Sequence, residues 1–137
     1  MKQYRNTLAA AIVVVAAGLS LSPGQAQDVS LGDIKRTDLL RQDLSAPGRE
    51  VIQVLVEFGP GVVAARHFHH GEELVFVTEG SLEYQLEGRP PVVVKAGEVL
   101  FIPHGKPHAV RNVGTGKAAE LATYIVEKGK PLLVLSE

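Results

Sequence analysis

Five histidines occur in the 137-residue chain, and three of them fall within His67-Phe68-His69-His70-Gly71-Glu72-Glu73. In an extended strand, side chains at i and i+2 share a face and stand about 6.6 Å apart. His67 and His69 would then present two imidazoles side by side, close enough to share one metal ion, with Phe68 turned to the opposite face. On a straight strand Glu73 would lie about 13 Å beyond His69, out of reach of that ion. Gly71 permits a turn between them, which would swing the carboxylate back beside the imidazoles. Two histidines and a glutamate on a turned strand have the character of a metal site that lacks one partner.

The elements that position this stretch start after a leader. Lys2 and Arg5 precede an apolar run over residues 8–19, and residues 20–27 are small and polar, with Pro23 as a breaker. Gly24-Gln25-Ala26 places small residues where a signal peptidase reads. The sequence therefore predicts a signal peptide over 1–26 and an exported protein, periplasmic or secreted. An apolar run of twelve residues falls short of the roughly 20 that a spanning helix needs, so no membrane association is expected after cleavage. The remaining 111 residues carry 12 basic and 15 acidic side chains, a formal charge of −3, which gives no basic footprint for nucleic acid. No cysteine is present, which excludes disulfides and thiolate ligands.

Residues 27–50 read as a polar lead-in in which Leu39, Leu40 and Leu44 pin a short edge strand. Residues 51–137 read as one barrel. Ile52, Val54, Val56 and Phe58 alternate onto one face, and Gly59-Pro60-Gly61 closes that run with a turn. Further short runs follow at 62–69, 73–78, 81–86, 92–95, 98–102, 108–113, 118–126 and 132–135, each bounded by glycine, proline or polar residues. Frequent short strands with such punctuation and no helical period predict an all-β sandwich or barrel. The tail over 129–137 is apolar for its position and is expected to add an edge strand or to cross to a partner subunit.

Two spaced motifs then stand out: Gly61-x5-His67-x-His69-x3-Glu73-x6-Gly80 and, sixteen residues on, Gly97-x5-Pro103-x-Gly105-x2-His108-x3-Asn112. Position for position they resemble the two motifs of the cupin superfamily, whose fold is a double-stranded β-helix or jelly-roll barrel. The resemblance implies that His67, His69, Glu73 and His108 bind one divalent metal ion per chain (Fe, Mn, Ni, Zn or Cu) inside the barrel. Three neutral imidazoles and one carboxylate leave one or two open positions on a five- or six-coordinate ion. Gly61, Gly80, Gly97 and Gly105 are expected to permit turns, Pro103 to shape the loop before His108, and Asn112 to stabilise a turn. His70, Glu72 and His104 are expected at the surface.

Val63, Ala65, Val75 and Val77 share the ligand parity and should line an apolar pocket, joined by Leu100 or Phe101. Tyr84 and Tyr124 are expected to hold their hydroxyls at an edge. The chain is similar to quercetin-dioxygenase-like cupins. That resemblance implies a monocupin dioxygenase for a small enol, catechol or flavonol-like substrate, with Glu73 as the catalytic base. The same residues also suit a Lewis-acid isomerase or decarboxylase, or an exported metal- or ligand-binding protein without turnover. A homodimer is the expected assembly.

Overall fold

Alternating β-branched and aromatic residues favour strands because each presents one side chain to the core and the next to solvent. The computed structural model describes residues 34–137; the expected leader over 1–26 and the first part of the lead-in lie outside them. The strands are β1 (Ile34–Asp43), β2 (Arg49–Phe58), β3 (Val63–Phe68), β4 (Gly71–Glu79), β5 (Ser81–Leu86), β6 (Val92–Lys95), β7 (Val99–Ile102), β8 (His108–Asn112), β9 (Ala118–Glu127) and β10 (Val134–Leu135). They form two five-stranded sheets, ordered β1-β2-β9-β4-β7 and β10-β3-β8-β5-β6. Every neighbouring pair is antiparallel. This is the all-β architecture expected from the alternation, in the jelly-roll form that the resemblance to cupins implies.

The core lies between the sheets. Ile52, Val54, Val56 and Phe58 of β2 are buried against Leu82, Tyr84 and Leu86 of β5, with Val75 and Val77 of β4 among them. Each such side chain contributes roughly 1.5–3 kcal/mol relative to leaving it exposed. Register carries the same face across the first sheet: Ile52 stands opposite Tyr124, Tyr124 opposite Glu73, and Glu73 opposite Ile102. Polar residues are thus delivered to the interior by the same period that delivers the apolar ones.

Several local expectations change. β1 is ten residues long rather than short, and Leu39 and Leu40 are about half exposed, so they do not pin it. Its hold comes instead from pairing with β2 along its length, broken by one irregularity between Asp38 and Leu40, and from Ile34, which packs against the core. Gly71 is not left-handed, unlike Gly61, Gly80, Gly97 and Gly105. A Cβ on Gly71 would lie 2.1 Å from the Ile125 carbonyl oxygen, so its role is close approach of β4 to β9 rather than a turn. The β3–β8 register shifts between Ala64 and His67. This irregularity turns Val63 towards Glu83, Gln85 and Arg111, away from the cavity, while both Ala64 and Ala65 line it. Leu100 packs on the core and Phe101 is exposed.

Candidate metal centre

Three imidazoles meet inside the barrel. His67 is the penultimate residue of β3, His69 follows it by two residues just past the strand end, and His108 opens β8 directly opposite His67. All three are buried, and their potential ligand atoms lie within 4.8 Å of one another. Each ring is oriented by a backbone carbonyl. Nδ1 of His67 lies 2.6 Å from the Ala65 oxygen, that of His69 lies 2.6 Å from the Leu132 oxygen, and that of His108 lies 2.9 Å from the Lys106 oxygen. A carbonyl can only accept, so each Nδ1 carries the proton and each Nε2 is left as a bare lone pair. That tautomer is the one that ligates through Nε2, with its outer nitrogen fixed by the surrounding backbone.

Glu73, on β4 of the other sheet, completes the cluster. Its Oε2 lies 3.1 Å from His69 Nε2 and 3.3 Å from His108 Nε2. His69 Nε2 and Glu73 Oε2 are buried with no hydrogen-bond partner among the described residues. Two acceptors facing each other in a dry interior require a positive charge between them, a shared proton or a metal ion. Two donors about 2.1 Å from one ion at a right angle would stand about 3.0 Å apart, close to the separations seen here. The residues therefore fit a divalent ion, and three buried histidines of this chain can hold one.

The electrostatics agree. Burial pushes His67 down to about 4, helped by the neighbouring His108 ring, so it is neutral and available at pH 7. For Glu73 burial opposes ionisation, yet in the metal-free chain a proton on His108 or His69 facing its oxygen outweighs burial and draws the carboxyl down to about 2, so a positive charge among these groups keeps it ionised. Glu73 is thus an ionised donor throughout the neutral range. His70 and His104 stay apart from the cluster, as expected. His70 stacks edge-on with Phe68, and His104 is exposed, 3.9 Å from Glu127. Asn112 holds a turn rather than a ligand. Its amide nitrogen donates to the Phe58, Gly59 and Gly116 carbonyls, and its Oδ1 accepts from the Gly114 amide.

A cavity of about 430 Å³ opens beside His67. Its walls are mostly apolar, including Val56, Phe58 and Val110, and the polar side chains on it are Arg36, His67, Glu120 and Tyr124. Tyr84 and Tyr124 are buried with their hydroxyls inside the barrel, contrary to the expected edge position. The Tyr84 hydroxyl donates to Glu120, and Arg36 donates to the Tyr124 hydroxyl over 3.5 Å. Burial first, and then the charge of Glu73, push Glu120 well above the ordinary carboxylate range, against a smaller opposing pull from Arg36. Glu120 was not among the expected site residues. The signal for it was parity, since Ala118, Glu120, Ala122, Tyr124 and Val126 share one face of β9.

The tail belongs to the site as well. β10 pairs with β3, Leu132, Leu133 and Leu135 line the cavity, and the Leu132 carbonyl holds His69. It adds the edge strand that was one of its two expected roles.

The chain belongs to the cupin family: a profile of the cupin domain matches residues 54–131, more than half of its length. It is 42% identical over 45 residues to dimethylsulfoniopropionate lyase DddQ of Ruegeria pomeroyi, which is 33% of this chain and 22% of the lyase. Over 60 residues it is 40% identical to polyketide synthase CurC of Streptomyces cyaneus, 43% of this chain and 38% of that protein. The matched stretches thus span well under half of each curated relative. A crystal structure of DddQ superposes with a TM-score of 0.66 at 23% identity, covering 82% of this chain and 56% of the lyase. A recombinant oxalate oxidase in complex with glycolate superposes with a TM-score of 0.62 at 26% identity, covering 81% and 59%.

Proposed function

We propose that this cupin holds one divalent ion with His67, His69, His108 and Glu73 and acts on a small enol, catechol or flavonol-like molecule with dioxygen. The observation that carries the reading is the set of bare Nε2 and carboxylate lone pairs converging beside an apolar cavity. Fe, Mn, Ni, Zn and Cu all suit nitrogen-rich ligands with one carboxylate. When bound, such an ion supplies Lewis acidity and open positions for small oxygen donors.

The chain's own residues supply the rest. The Ala65, Leu132 and Lys106 carbonyls hold the three rings in one tautomer. Glu73 sits among them, and in this reading it is the base that accepts a proton from an acidic substrate hydroxyl. The apolar walls of Val56, Phe58 and Val110 exclude water, which strengthens each polar contact inside. The relatives support a small oxygen-rich substrate, since one is named for dimethylsulfoniopropionate and another is an oxidase of oxalate.

A Lewis-acid isomerase or decarboxylase is the second reading, favoured by Glu120 on the cavity wall, whose burial raises its pKa and suits it to carry a proton. Oxygen uptake with flavonols and catechols, using Fe-, Mn- and Ni-loaded protein, separates the two. Product with uptake supports the dioxygenase, product without uptake the Lewis acid, and neither with any loading leaves a binding protein without turnover.

Export and pairing belong to the same proposal. Cleavage after Ala26 would deliver the barrel to the periplasm or medium, which mass spectrometry of the exported protein would show. Leu74, Phe76, Val99 and Phe101 form an exposed apolar patch on the outer face of the β4–β7 pair and offer a homodimer surface. Light scattering on the purified chain reads the assembly directly.

A further inference from the structure

The cations of β1 are treated unequally. Lys35 pairs with Glu57 at 3.1 Å, and Arg41 pairs with Glu50 at 3.3 Å. Arg36 makes no ion pair among the described residues, and its side-chain hydrogen bond is the long one to Tyr124. Its register places it opposite Val56, in the row that continues to Glu120, and although the residue is exposed its side chain lines the cavity. Glu120 lies two strands away, about 10 Å at ordinary strand spacing. It is also engaged by Tyr84, and burial raises its pKa well above the ordinary carboxylate range against the pull of Arg36. Glu120 is the carboxylate that lines this cavity, and no ion pair joins it to Arg36 among the described residues.

A planar cationic fork facing an apolar chamber is suited to a carboxylate, which it can grip through two parallel charge-assisted hydrogen bonds. We infer that Arg36 anchors the carboxylate of a small organic acid whose apolar body fills the cavity and whose other oxygen function faces the His67 end. Tyr124 is the positioning residue that steadies the fork. This names the substrate class of the proposed metal centre and rests on the reading of the cavity as its substrate pocket. It makes Arg36 a specificity-determining residue, contributed by the strand that precedes the matched cupin domain.

The test compares 3-phenylpropanoate with its neutral analogue 3-phenylpropanamide by isothermal titration calorimetry. The full chain is used as purified and after chelator treatment, with circular dichroism to check folding of each variant. The anion is expected to bind at least about ten-fold more tightly than the amide in both metal states, the scale of a charge-assisted bond. Arg36→Met abolishes that preference, and Arg36→Lys keeps part of it. Equal binding of the two probes, no binding of the anion, or a preference that survives Arg36→Met overturns the inference. A preference that needs metal and ignores Arg36→Met belongs to the ion and overturns it equally. A chain that carries no metal but shows the Arg36-dependent preference keeps the anchor and loses the metal reading.

Discussion

Replacing Gly71 by alanine separates two accounts of how Glu73 reaches the histidines. If Gly71 served as a flexible turn, alanine would cost little, because its backbone is not left-handed. The structure says otherwise. The added Cβ would lie 2.1 Å from the Ile125 oxygen, 2.6 Å from the Val126 Cα and 2.9 Å from the Ile125 carbonyl carbon. All three atoms are backbone of β9, so no side chain can swing aside. Either β4 separates from β9 at the Gly71–Val126 pair, or both strands shift.

Overpacking of this kind costs typically 1–3 kcal/mol, and losing the end of the ladder takes it to the top of that range, about 3 kcal/mol. For a domain of about 100 residues, that is a fall in Tm of about 12 °C or more. Gly61→Ala is the control. Its φ is +71° with nothing within 4 Å of the new Cβ, so only backbone strain of roughly 1 kcal/mol is expected. Urea denaturation and thermal melts of both variants give the comparison. A Gly71→Ala protein no less stable than Gly61→Ala would refute the close-approach account.

Two further outcomes follow from the site. In the metal-free chain His67 titrates near 4, against about 6.5 when unfolded, so only the unfolded chain takes up that proton as pH falls through this window. Stability should drop by about 3 kcal/mol between pH 6.5 and 4, and His67→Asn should flatten that part of the denaturation profile. Glu73 acts in a lower window: its stabilisation is present above the ordinary carboxylate pKa and is lost only as pH falls towards 2. Deleting residues 132–137 removes the carbonyl that orients His69 and should weaken metal binding 10- to 100-fold, as loss of such partners commonly does. A competitive chelator titration reads that change.

Much of the barrel was legible because strand alternation is local. Ile52 to Phe58 on β2 and Leu82 to Leu86 on β5 declare their buried face by parity alone. His67 and His69 were legible from spacing, Glu73 only through an expected turn at Gly71, and His108 only from the resemblance to the cupin motifs, and the structure brings those four side chains together. What escaped depends on contacts distant in sequence. Gly71 is constrained by β9, more than fifty residues later, and that close approach leaves no local mark. Val63 turned outward because of an irregularity against β8, and the tail's role is set by where β10 meets β3. Arg36 gained its meaning from a register that carries it across β2 towards Glu120. Glu120 was readable in principle, as a charged residue at an inward position of an otherwise apolar face.

The central claim is that His67, His69, His108 and Glu73 hold one ion. Metal content per chain, measured by inductively coupled plasma mass spectrometry on protein purified from its native compartment, tests it most directly beside His69→Ala and His104→Ala variants. The account predicts one divalent ion per chain in the native protein and in His104→Ala, and none retained by His69→Ala. A native chain without metal, or a folded His69→Ala protein that still carries one ion, would contradict it.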